Sequence, residues 1–380
     1  MRAFNLSLAA MIFAAFDLNA EIRFERVPDG GIQPQLILDE NGRQHLLYFK
    51  GDAMGGDVFY ATRGRDEKEF SPPIKINEQA NSVIVAGTMR GPQMALGRDG
   101  RAHVVWMGGN GADKVKVGDE MVTPLLYARM NDGRDGFEPE RNMLTRAAGL
   151  DGGQTVAADQ KRNVYVIWHG APPGVEGEEN RALYVARSRN DGKTFAPEEK
   201  AILGGKLGAC ACCGLRAEVD EGGVLHVLFR SAEAGVNRNQ LWLTSRDGKT
   251  FSRVIESEWK IATCPASSSS LAFTGDAALG AWETEHGIIG MIRREGAAPL
   301  TLRPEVSGKS KHPRVAINRR GEIILTWVEG AGWGEKGTLA CQQFNAKGEQ
   351  MGAPVRRLEL PAWSFGAPYA TAAGDFVVLH

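Results

Sequence analysis

The sequence predicts an all-β propeller of seven blades, with six as the alternative count. Three observations carry that expectation. One hairpin phrase recurs seven times. A second pair of strand-like segments follows most copies. No stretch reads as a convincing amphipathic helix. Self-similarity at a period of several tens of residues marks a repeat architecture, and four strands per unit describe a propeller blade.

The phrase has a small or Pro-containing start, a short apolar stretch, a polar turn, and an apolar run with an aromatic near its end. Copies begin at Gln33, Gly91, Gly152, Cys213, Ser269, His312 and Ala367, spaced 43 to 61 residues apart. Asn41-Gly42, Asp99-Gly100, Gly222-Gly223 and Arg320-Gly321 supply hairpin turns. Alternating apolar residues mark half-buried strands on either side of each turn. Segments starting at Pro124, Ala182 and Gln240 supply third and fourth strands. The last copy stops after its second strand. Ile22 to Val27 resembles an outer strand, because FERVP matches FEPER and FAPEE further on. It is expected to complete the last blade and close the ring, which removes exposed sheet edges.

Residues 1–20 have the layout of a secretory signal peptide: Arg2, an apolar core from Leu6 to Phe16, and Ala20 before the cut. The chain is therefore expected to be exported, periplasmic or secreted, with residues 21–380 forming a single propeller domain. No later apolar run approaches the roughly 20 residues of a membrane span. The formal net charge of −1 argues against bulk attraction to nucleic acid. The 47 glycines suit a chain rich in turns.

Ser188-Arg-Asn-Asp-Gly-Lys-Thr-Phe195 resembles the Asp-box (S-x-D-x-G-x-x-W) of sialidases and other BNR-repeat proteins. Thr244 to Phe251 is a looser copy, and Met130 to Phe137 and Arg63 to Phe70 are degenerate ones. The resemblance spans most of residues 21–380 and implies a sialidase-like propeller. In that family the boxes are structural and lie away from the active face. Catalysis there uses an arginine triad, a Tyr activated by a Glu, and an Asp as acid/base. A neutral nucleophile avoids repelling an anionic sugar. By this resemblance Tyr369 stands where the family's Tyr begins a late blade, and Asp52 or Asp57 stands for the acid. The resemblance does not by itself place a full arginine triad or the Glu partner. Ile32-Gln33-Pro34 replaces the Arg-Ile-Pro start, and Arg26-Val27-Pro28 lies six residues too early.

Propeller topology sends first-strand starts and second-strand ends to one axial mouth. That set includes Gln33, Arg90, Gln93, Gln154, Arg216, His312, Arg314 and Tyr369 from the starts. Lys50, Asp52, His169, Arg230, Glu233, Glu283, Glu285 and Glu329 come from the ends. Arg90, Arg230, Arg314, His169, Glu283 and Glu329 are the ligand-binding candidates, and they suit a polar or anionic molecule. Trp106, Trp168, Trp282 and Trp327 are expected to pack between blades.

Cys210, Cys212, Cys213 and Cys264 precede two consecutive phrases, so neighbouring blades bring them together. In an exported protein the default is disulfide bonding, with Cys264 paired to one of the upstream three. The sharper alternative is a thiolate site for copper or zinc, with nitrogen from His169 or His312. Cys341 is expected to stand apart as a small buried residue. The leading functional expectation is an exported binding protein for a glycan, a small anionic ligand or an extracytoplasmic protein. An exo-sialidase-like glycoside hydrolase and a thiol-based metal or redox protein are the alternatives.

Overall fold

A computed structural model describes residues 20–275 and 277–380. The signal-peptide segment lies outside the described residues, apart from Ala20. The fold is a closed seven-bladed β-propeller. Six blades are four-stranded antiparallel sheets in simple sequential order. Their innermost strands are Ile32–Leu38, Gln93–Leu96, Gln154–Ala158, Arg216–Val219, Ser270–Thr274 and Ser310–Ile317. These begin the first six copies of the recurring phrase. Each inner strand packs beside the next, and Ala367–Ala370 of blade 7 touches both Ser310–Ile317 and Ile32–Leu38, which closes the ring.

Blade 7 joins the two ends of the chain. Ala367–Ala370 pairs antiparallel with Phe376–Leu379, and Ile22–Glu25 pairs with Phe376–Leu379 in parallel. Bonds from the Val27 amide to the His380 carbonyl (2.8 Å) and from the His380 amide to the Glu25 carbonyl (2.9 Å) extend the seam. The expected closure is present: Ile22–Glu25 is the outer strand of a three-stranded sheet.

The core is divided among the blade interfaces. Phe49 and Val58 of blade 1 meet Met94 and Trp106 of blade 2. Tyr127 and Val105 of blade 2 meet Val156 and Trp168 of blade 3. The same layering continues from blade to blade, ending where Tyr369 and Val377 meet Leu46 and Tyr48 of blade 1. This explains a departure from the expected strand pattern. The second strands Ala102–Met107, Val164–Gly170 and Leu225–Arg230 are buried along their whole length. A strand sandwiched between two neighbouring blades has no solvent face, so HVVW and VYVIW are continuous apolar runs rather than alternating ones. Trp106, Trp168, Trp282 and Trp327 are all fully buried between blades, as expected.

Two hairpin turns show why their residues were chosen. The Ser188 hydroxyl accepts the amides of Asn190 (3.2 Å) and Gly192 (3.0 Å), and Asn190 Oδ1 accepts the Thr194 amide at 3.0 Å. Gly192 has φ of 72°, and a Cβ there would lie 2.0 Å from the Tyr127 hydroxyl. Phe195 packs edge-on against Tyr127. In the second turn Ser245 accepts the Gly248 amide, while Asp247 Oδ1 accepts the amides of Lys249 and Thr250. The side chains thus satisfy turn amides that no strand pairs.

Candidate functional site

The beginnings of the inner strands converge on an axial cavity of about 100 Å³. Its wall is polar: Gln33, Gln35, Gln93, Arg216, Ser268 and Arg314 all contribute, and Phe365 adds an aromatic face. On the other side of the ring a second cavity of about 360 Å³ holds Asp39, Asn41 and Glu218. Arg216 lines both, so it stands between them on the axis.

Local backbone irregularity marks the beginnings of two of these inner strands. Register shifts interrupt the inner strands between Ile32 and Gln35 and between Lys311 and Arg314. Gln33 and His312, inside those shifts, have φ of 52° and 55°. Thr88, Ala266 and Trp363 in the adjoining loops also have positive φ. Non-glycine residues held in this region carry strain, and such residues collect at functional sites. Bulges are a recurrent means of re-aiming a side chain. Gln33 is fixed by donating from Nε2 to the carbonyls of Val85 (2.9 Å) and Trp363 (2.6 Å).

Arg314 lies 3.7 Å from the centre of the Phe365 ring and donates to Ser268 Oγ (2.8 Å) and the Pro313 carbonyl. Arg216 approaches Gln93 Oε1 at 3.4 Å. Among the described residues neither guanidinium has a carboxylate within 4.0 Å. Burial, reinforced by the charge of Arg216, lowers the Arg314 pKa to about 9. Burial raises Glu218, two residues beyond Arg216 on the same strand, to about 7, against the opposing pull of Arg216. The axis therefore holds two guanidiniums and a carboxyl group that takes up its proton near neutrality.

The other candidates divide. Arg90 is an internal brace, bonded to the carbonyls of Ala86 and Asp151 and to Asp151 Oδ1 (2.6 Å). Arg230 binds the carbonyls of Arg238 and Glu283 and lies over Trp259. Both turn hydrogen bonds toward neighbouring carbonyls, Arg90 also toward the Asp151 carboxylate, and neither lines the axial cavity. Glu329 accepts Trp327 Nε1, the Ser307 amide and Arg356, and ties blade 6 together. Glu283 is nearly buried, 3.6 Å from Lys311 Nζ, and burial raises its pKa. His169 is 1% exposed, and its ring faces the backbone of Cys213. It sits against Gly153, where a Cβ would lie 1.9 Å from its Nε2 and 3.0 Å from the Cys213 carbonyl. Burial takes its pKa down to about 4.

Tyr369 and Asp52 have separate partners. The Tyr369 hydroxyl accepts from Arg63 at 3.0 Å inside the seam between blades 7 and 1, and Arg63 also binds Glu25 and Gln44. Asp52 is exposed and caps the Met54 amide at 2.9 Å. Neither residue lines the axial cavity.

The four clustered cysteines meet, as their positions in the repeat implied. Cys210 Sγ lies 3.7 Å from Cys212 Sγ and 3.4 Å from Cys213 Sγ. Cys264 Sγ and a Glu178 carboxylate oxygen lie within 4.8 Å of Cys210 Sγ. These contacts are longer than a disulfide's 2.03–2.05 Å, and the four are unbonded thiols. Cys341 is buried elsewhere, between blades 6 and 7.

A repeated polar element escaped the sequence reading. His45, His103 and His226 occupy second strands and face an aromatic on the third: Tyr60 (2.6 Å), Tyr127 (2.7 Å) and Trp242 (3.0 Å). Asp39, Asp191 and Asp220 lie beside the other ring nitrogen. The signal was present in the recurring His of QHLLYF, AHVVW and LHVLF. These groups lie within and beneath the blades and are structural.

No family model matches the chain, and no curated protein sequence matches it. Solved structures do. A protein of unknown function from Dyadobacter fermentans aligns with a TM-score of 0.52 at 13% identity, over 81% of this chain and 93% of that one. The Hadza microbial sialidase Hz136 aligns at 0.51 and 12%, over 84% and 70%. The GH93 α-L-arabinofuranosidase of Fusarium graminearum, in complex with arabinobiose, aligns at 0.53 and 10%, over 86% and 98%. The chain is thus a sialidase-like β-propeller in fold. At these identities the likeness extends to fold alone, since one fold hosts many functions.

Proposed function

We propose that this chain is an exported binding propeller that receives the acidic group of a glycan at its axial mouth. The observation that carries the reading is the pair Arg216 and Arg314. Two half-buried guanidiniums with no carboxylate within 4.0 Å among the described residues are costly to hold together unless an anion completes them. A planar guanidinium matches a carboxylate in bidentate geometry. The cavity has room for such a small group, while the rest of a sugar stays at the rim. Gln33, Gln93 and Ser268 offer neutral hydrogen bonds, and Phe365 offers an apolar face. Export is supported by the signal-like layout of residues 1–20.

Calorimetric titration of residues 21–380 with a sialylated oligosaccharide and its neutral, desialylated counterpart tests this reading. Binding of the acidic sugar alone, abolished in Arg314→Gln, is the expected result. Equal binding of both sugars, or an unaffected Arg314→Gln variant, overturns it. The glycoside hydrolase alternative is tested by turnover of aryl sialosides and arabinofuranosides. Activity lost in Tyr369→Phe would replace binding by catalysis.

A further inference from the structure

We propose that Cys210, Cys212, Cys213 and Cys264 form a thiolate site for a soft metal cation, Cu(I) or Zn(II), at the rim of the axial mouth. The site is independent of the guanidinium pair and stands or falls separately from it. Three sulfurs come from the loop entering blade 4 and one from the loop entering blade 5, so a bound ion would crosslink consecutive blades.

The geometry suits such an ion. A metal–sulfur bond of about 2.3 Å sets tetrahedral sulfur–sulfur edges of about 3.8 Å. The contacts of Cys210 with Cys213 and Cys212, 3.4 and 3.7 Å, are close to that edge, while Cys264 approaches Cys210 within 4.8 Å on the side of Glu178. Cys210, Cys212 and Cys213 are nearly inaccessible, whereas Cys264 is exposed. Three preformed donors and one on the solvent side leave a path for the ion to enter.

The surroundings also fit. Each thiol that ligates loses its proton to solvent, so the loaded site carries excess negative charge. The positive charge of Arg238 acts on Cys210 and Cys264, and that of Arg230 on Cys213. Glu178 joins the cluster while pairing with Arg238 at 2.5 Å, and it accepts the Ala211 amide from within the cysteine loop. His169 supplies an independent sign. It is a buried imidazole set against the backbone of Cys213, directly behind the cysteine loop. Soft sulfur ligands select Cu(I) and Zn(II) over Mg(II) and Ca(II), which prefer oxygen.

The test uses residues 21–380 reduced and handled without oxygen, titrated separately with Zn(II) and with Cu(I) against chromophoric chelators of known affinity. One ion per chain, with Mg(II) failing to compete, is expected, and the stronger of the two arms names the metal. Cys264→Ser, at an exposed position that tolerates the change, should weaken binding at least tenfold. Cys341→Ser, remote from the cluster, should leave it unchanged. Circular dichroism of each variant separates loss of the site from loss of the fold. Recovery of the four cysteines as two disulfides from protein purified without reductant would overturn the proposal. So would weak metal uptake that Cys264→Ser leaves unaltered.

Discussion

Arg314 is the residue on which the binding account turns, and Glu218 sets its pH dependence. Glu218 is held near pKa 7 by burial. Below that pH its carboxyl is neutral and the guanidiniums are free to meet an anion. Above it a carboxylate competes on the axis, so affinity for an acidic sugar should fall as pH rises through 7. Glu218→Gln should flatten the profile between pH 6 and 8, read by calorimetry. The same raised pKa has a stability consequence. The folded chain holds a proton that the unfolded chain releases near pH 4.3, so Glu218 costs stability progressively as pH rises from there to 7. The sequence placed Arg314 at the mouth correctly, because strand order alone dictates where first strands begin. It could not separate Arg314 from Arg90 and Arg230, since that depends on which loop carbonyls lie within reach. Arg216, named among the mouth residues but passed over as a ligand, proves to be the second axial guanidinium.

At the level of the blade, the buried histidines and the capped turns carry the testable claims. Burial is the main force lowering His103, opposed by Asp191 and assisted by Arg129 and Arg101. Its folded-state pKa is thus below 6.5, and the unfolded chain takes up the proton first. Its stabilising contribution is present above pH 6.5 and fades as pH falls. Chemical denaturation should show the gap between native protein and His103→Gln narrowing between pH 7.5 and 5.5. A gap independent of pH would show that the imidazole is not held neutral. Ser188→Ala removes the acceptor of two turn amides and should cost about 1–2 kcal/mol. Trp106→Ala, at a position with no solvent exposure between blades 1 and 2, should cost about 3–5 kcal/mol. Hairpins were legible because Gly and Asx residues announce turns. The full burial of second strands was not, because it is a property of neighbouring blades rather than of the strand itself.

Across the whole molecule, closure depends on a short segment at the start of the described chain. Ile22–Glu25 gives blade 7 its third strand, and Phe24 and Ile22 pack on the core between blades 6 and 7. Removing residues 20–27 should leave Phe376–Leu379 as an open edge, lower the thermal midpoint and promote aggregation. Size-exclusion chromatography and thermal melts read both effects. The seven-blade count followed from counting phrases, even though the seventh copy is incomplete. The parallel direction of the seam in the last blade was not read from the sequence, since pairing direction is set by how the ends meet in space. The cysteine cluster was legible as a meeting of two loops. The buried imidazole of His169 beside it needed the structure.

The most direct test is a crystal structure of the chain soaked with a sialic or uronic acid. The account places the sugar's carboxylate on the axis, within hydrogen-bonding distance of both Arg216 and Arg314. A sugar bound with its carboxylate in solvent, or seated at the Tyr369 seam with the axial cavity unchanged, would contradict it.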